Sequence, residues 1–132
     1  MAVAESVQDV WKGHVDTRVD ASTKPIDFTY LRRFTLGNKE LEREVLYLFA
    51  ESAPDYLKAL EGAVSPKEWH DAAHTLKGSA RAVGAWRVAR TAEIAEKLCF
   101  HSDHDRRAFA VDSAYEASEE ALRYILSKFP RL

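Results

Sequence analysis

Apolar residues recur at spacings of three and four through most of the chain, the pattern of amphipathic helices. No alternating β-branched run bounded by turn residues is present, so strands are not expected. Val3, Val7, Val10 and Trp11 share a face, which predicts a short helix over residues 4–20. The stretch Ala21-Ser22-Thr23-Lys24-Pro25 then breaks it. A second short helix is predicted from Asp27, its N-cap, to about Phe34. Leu36-Gly37-Asn38 reads as a turn, and Asn38 caps a long helix to about Glu61. The apolar stripe assigned to that helix is Leu41, Val45, Leu48, Phe49, Ser52, Tyr56, Ala59 and Leu60, with Pro54 expected to kink or interrupt it.

The clearest start follows. Ser65-Pro66-Lys67-Glu68 places serine at the cap, proline at the first helical position and glutamate three after the cap. This helix should run to about Val83 and stop at Gly84. Another is predicted from about Ala85 to Ser102, with Val88, Ala92, Ala95 and Cys99 inward. The last should run from about Asp105 to Phe129 on a stripe of Val111, Ala114, Ser118, Leu122, Ile125 and Phe129, closed by Pro130. Long helices with short connections imply antiparallel neighbours. The expected fold is all-α, an antiparallel up-down four-helix bundle over residues 26–132, with residues 1–25 forming an extra N-terminal helix or a flexible arm.

Composition adds boundaries. The chain has 132 residues, 46% hydrophobic and 30% charged, which fits one soluble domain with a real core. A net charge of −2 gives no general reason to expect nucleic acid or membrane as partner. No stretch approaches the roughly 20 apolar residues of a membrane helix. The first residues carry charge early and lack a long apolar run, so no signal peptide is expected. The lone Cys99 cannot build a disulfide framework and reads as core filler in a reducing compartment. A cytoplasmic monomer is the resulting expectation.

The stretch His70-Asp71-Ala72-Ala73-His74-Thr75-Leu76-Lys77-Gly78-Ser79-Ala80-Arg81 carries the chemistry. On a helical wheel Trp69, Ala72, Ala73, Leu76, Ala80 and Val83 form the core face. His74 lies about 140° from its centre, on the solvent side. His70, Lys77 and Arg81 continue a basic strip along the same side. Gly78 stands one turn after His74, where glycine costs about 1 kcal/mol relative to alanine. The absent side chain would let another backbone approach the imidazole. An exposed imidazole beside cations and cleared space suits an anionic reactant such as a phosphoryl group.

Two other readings stay open on these residues. His70-Asp71-Ala72-Ala73-His74 differs from the zinc-protease pattern HExxH by one methylene, and both histidines share a face that a zinc ion can bridge. Aspartate is short for the usual general base there, and no third ligand follows at the usual spacing; His101 and His104 lie one helix away. The remaining reading is a helical docking module without chemistry.

His74-Thr75-Leu76-Lys77-Gly78-Ser79-Ala80, followed by Gly84-Ala85, resembles the signature of histidine-containing phosphotransfer (HPt) domains. The resemblance runs from about Ile26 to Cys99 and takes in Leu36-Gly37-Asn38-Lys39-Glu40-Leu41, Phe49, and the Ala92 to Glu96 run. It implies a four-helix bundle that passes a phosphoryl group between receiver-domain aspartates in multistep two-component signalling, without binding ATP. His74 would be the phospho-accepting residue, Lys77 would neutralise and orient the phosphoryl group, Gly78 would admit the receiver's loops, and Glu96 would hydrogen-bond the other ring nitrogen. His70, Ser79, Arg81, Ala85 and Trp86 would face the partner. Arginine at position 81 departs from the small residue many members carry, and His70 lies outside the general signature. The implied partners are receiver domains of a hybrid histidine kinase and of a response regulator. No cofactor is expected on this chain; Mg²⁺ would come from the receiver.

Overall fold

The computed structural model describes residues 19–20 and 23–131. These hold five helices: α1 (Phe28–Thr35), α2 (Lys39–Glu61), α3 (Pro66–Val83), α4 (Trp86–Lys97) and α5 (His104–Lys128). There is no strand among the described residues. None of their helices is long and apolar enough to cross a membrane. The helix expected over residues 4–20 lies outside the described residues except for its last two, which are not helical.

Local chemistry sets the ends. Asp27 accepts from the Tyr30 N–H at 3.0 Å, Asn38 from Leu41 at 3.1 Å, and Asp103 from Arg106 at 2.9 Å. Ser65 accepts from the Glu68 N–H at 3.2 Å. The Glu68 carboxylate reaches back to the N–H of Val64, one residue before the cap, at 3.0 Å. Two otherwise orphaned donors are thereby satisfied.

The four longer helices pack in a ring, α2 on α3, α3 on α4, α4 on α5, and α5 back on α2. Contacts at opposite ends give their directions. Tyr47 near the start of α2 donates to the Phe129 carbonyl just past α5, and Tyr115 on α5 donates to Glu61 at the end of α2 at 2.9 Å. On the α3–α4 seam, Trp69 Nε1 donates to the Ala95 carbonyl at 2.7 Å, and Arg81 meets Glu93 at 3.2 Å. The α2–α5 pair therefore runs antiparallel, and α4, joined to α3 by only Gly84 and Ala85, packs back along it. Leu46, Leu60, Leu76, Val88 and Ile125 fill the centre. Alanines fill half of the buried positions of α3 and α4, which lets that pair of backbones come close.

The core face predicted for α3 is the buried one. The face of α2 is not. Its buried row is Glu42, Leu46, Phe49, Ala53, Leu57 and Leu60, one position along from most of the expected stripe. Leu41 and Leu48 of the expected stripe are exposed. The helix has two apolar rows, and the charge of Glu42 disguises the inner one. That carboxylate is buried against the Thr35 hydroxyl at 3.0 Å and the Arg32 guanidinium at 3.4 Å. Pro54 does not interrupt α2. Its ring fixes a helix-compatible φ, and the loss is one backbone hydrogen bond.

The end of α4 also differs. It stops at Lys97, not near Ser102, and Leu98 turns extended. This brings Phe100 beside the Trp69 ring, with the Arg107 guanidinium 4.7 Å above it. Cys99 is exposed on this loop rather than in the core.

Gly84 forms the corner between α3 and α4. Its φ of 76° caps α3 in the left-handed region, and its carbonyl accepts from the Asp27 N–H at 2.9 Å. Asp27 also takes the Trp86 indole N–H at 2.9 Å. A Cβ on Gly84 would lie 3.0 Å from the Asp27 carbonyl oxygen, whereas one on Gly37, at φ 80°, would meet nothing within 4 Å. Both Gly→Ala changes carry the left-handed cost of about 1–2 kcal/mol. Gly84→Ala should lose measurably more stability than Gly37→Ala in urea denaturation, and equal losses would contradict this corner packing.

Candidate functional site

The α3–α4 seam gathers the polar side chains singled out in the sequence. His74 is on α3 with its side chain 64% exposed, and Glu96 is on α4 with its side chain only 10% exposed. His74 Nδ1 lies 2.7 Å from Glu96 Oε2. Lys77, one turn along α3, donates from Nζ to the other oxygen, Oε1. His70, one turn before, places Nε2 3.6 Å from Oε2. The two imidazoles are nearly parallel, at 14°, with centroids 5.7 Å apart. One carboxylate thus meets three nitrogens of a neighbouring helix.

The protonation pattern follows. Burial, the largest single influence, pushes the Glu96 carboxyl up; hydrogen bonds from Lys77 and His74, together with their charges, outweigh it, and the net displacement is downward. An ionised carboxylate only accepts hydrogen bonds, so Nδ1 of His74 must carry the proton. In the neutral ring, Nε2 then keeps its lone pair, on the side of the imidazole away from Glu96.

Gly78 is exposed on the same face as His74, and a Cβ there would meet nothing within 4 Å. The space expected beside the imidazole is open. Beyond it, Ser79 and Ala82 form one wall of a groove whose other lining includes Phe34, Leu41, Val45 and Leu48. Phe34 and Leu48 are 62% and 64% exposed. This groove holds the outward row of α2 and was invisible as a surface in the sequence, because the row was assigned to the core.

Other expectations are corrected. The basic strip is not a free band of positive charge: Glu96 faces His70, His74 and Lys77, and Glu93 pairs with Arg81 at 3.2 Å. Glu93 itself is buried and was not anticipated. Its signal was an acid three residues before Glu96, on the same side of the helix. Ala85 and Trp86, expected at the partner-facing rim, are buried at the Asp27 corner. Asp71, the acid of the protease-like pattern, is held by Lys67 at 2.6 Å. His101 and His104 do not join the His70–His74 pair; Glu96 supplies the third group beside it.

A carboxyl whose value is lower in the folded than in the unfolded chain stabilises the fold above its unfolded value. That contribution is lost as pH falls through the folded value. Glu96 starts from an ordinary 4.5 and is lowered. Wild type should therefore be more stable than Glu96→Gln at neutral pH. The gap should narrow as pH is taken from neutral to below about 4.5. Urea denaturation across that range checks this, and a gap independent of pH would contradict an ionised Glu96 at the seam.

Comparison with curated proteins and with solved structures gave no match. The family model of the Hpt domain matches residues 44–127, more than half of the chain. The match begins on α2 and reaches the last turn of α5, extending past Cys99, where the resemblance read from the sequence motifs stopped. The chain belongs to the Hpt domain family, whose general activity is histidine phosphotransfer in two-component signalling.

Proposed function

We propose that this chain relays a phosphoryl group between aspartates of receiver domains, with His74 as the carrier. The observation that carries this reading is the Glu96 carboxylate on His74 Nδ1, which leaves an exposed Nε2 lone pair as the nucleophile. In the forward step Nε2 attacks the phosphorus of an aspartyl phosphate. The N–P bond forms as the P–O bond to the aspartyl oxygen breaks, and the aspartate leaves as carboxylate. The ring gains positive charge in this step, and Glu96 faces it across the Nδ1–H. The reverse step delivers the group to a second receiver.

Lys77 acts in two ways on this reading. It holds Glu96 by Oε1, which fixes the direction of Oε2, and it is the cation one turn from the incoming phosphoryl oxygens. Catalysis here is positioning and charge compensation, so a helical scaffold suffices. Mg²⁺ and the acidic pocket come from the receiver. The receiver's loops pass over Gly78, and its apolar surface sits in the groove of Phe34, Leu41, Val45 and Leu48, with Ser79 and Ala82 between the two. The expected partners are the receiver domains of a hybrid histidine kinase and of a response regulator. The chain acts as a cytoplasmic monomer. The packing ring of α2 to α5, with its antiparallel contacts, supports the up-down four-helix bundle this activity uses.

Incubation with a phosphorylated receiver and Mg²⁺ tests this. Wild type should take up an acid-labile, base-stable phosphoryl group, and His74→Gln should take up none while still binding the receiver. Gly78→Ala should raise stability by about 0.5–1 kcal/mol through helix propensity yet slow uptake. Label on His74→Gln, or none on wild type with several receivers, would contradict the reading; binding without uptake would make the chain a docking module.

A further inference from the structure

We infer that His70, His74 and Glu96 form a three-ligand site for a divalent transition-metal ion, zinc by preference, and that filling it switches off the phosphoryl acceptor. Their ligand atoms lie within 4.8 Å of one another. Tetrahedral zinc with bonds near 2.0–2.1 Å holds neighbouring ligand atoms about 3.3 Å apart. His70 Nε2 and Glu96 Oε2 are already at 3.6 Å. His74 Nδ1 and Oε2 are at 2.7 Å, a separation set by the shared proton, and they move apart when a metal replaces that proton.

The surroundings suit this arrangement. The histidines are one turn apart on one face of α3, with nearly parallel rings. Lys77 occupies Oε1 and leaves Oε2 turned toward both imidazoles, so the lysine orients the carboxylate without taking the metal's place. Next to His70 and Glu96 in the chain, the buried Trp69–Ala95 hydrogen bond fixes the two helices against each other. Both histidine side chains are more than half exposed, so a fourth position stays open to water. Two imidazoles and one carboxylate match zinc, whereas Mg²⁺ prefers oxygen ligands. The Mg²⁺ of a receiver therefore does not compete.

The consequence for His74 follows from proton counting. A neutral imidazole has one lone pair and one N–H. If the metal takes the lone pair at Nδ1, the proton moves to Nε2 and removes the nucleophile. If the metal takes Nε2, it occupies the nucleophile directly. This second half of the inference rests on His74 being the phosphoryl acceptor; the metal site itself does not.

Zinc titration of the full chain against a chromogenic chelator tests the site. Wild type should bind one equivalent, in the presence of millimolar Mg²⁺, and His70→Ala and Glu96→Gln should each bind at least about tenfold more weakly. His70 is exposed, so H70A keeps the fold. One equivalent of zinc should slow label uptake from a phosphorylated receiver at least tenfold, reversed by a zinc-selective chelator. For His70→Ala, relative to its own metal-free rate, the same inhibition should need at least tenfold more zinc. No stoichiometric binding, or binding that H70A leaves unchanged, overturns the site. Binding without inhibition overturns the switch. A metal-free wild type that takes no label yet binds zinc refutes the acceptor reading and supports the metal site.

Discussion

The Glu96 carboxylate at the α3–α4 seam orders everything around it. It is nearly buried, so ionisation carries a desolvation cost that must be offset locally. Lys77 offsets it at one oxygen and His74 at the other. The result is a carboxylate with both oxygens committed and a histidine with a defined tautomer. His70 stands near the same oxygen without closing a hydrogen bond. Removal of the lysine would loosen the carboxylate, and with it the imidazole, although the hydrogen bond of Lys77 goes to Glu96 and not to His74.

That arrangement needs two helices held at a fixed distance and register. Trp69 supplies one tie, its indole N–H on the Ala95 carbonyl beside Glu96. Arg81 and the buried Glu93 supply another, further along the seam. The Gly84 corner, locked to Asp27, sets the angle at which α4 leaves α3. Alanines between these ties let the backbones approach closely. The exposed half of the site, His74 and Gly78, then projects from a rigid base, with an apolar groove on the side opposite the carboxylate.

The sequence made α3 legible because its local signals agree: the Ser65 cap, Pro66, one clear apolar face and Gly84. His74, Gly78 and the Lys77 spacing could be read from the same helix. The inner face of α2 was misread because a glutamate stands in it, and its burial is made tolerable by Thr35 and Arg32 of α1 together with Lys39. Ala85 and Trp86 were misplaced for a similar reason: the partner of the indole N–H is Asp27, nearly sixty residues earlier. The metal-ligand group was half visible. Two histidines show as a pattern along one helix, but the third ligand comes from another helix, where spacing carries no signal.

The tautomer of His74 reads the action of Glu96 most directly. Long-range proton–nitrogen NMR of the imidazole, on metal-free protein at a pH where the ring is neutral, distinguishes the protonated from the unprotonated nitrogen. In wild type the proton should sit on Nδ1 and leave Nε2 bare, with that preference lost in Glu96→Gln. A wild-type ring protonated at Nε2, or a tautomer unchanged by Glu96→Gln, would contradict the claim that the Glu96 carboxylate prepares the nucleophile.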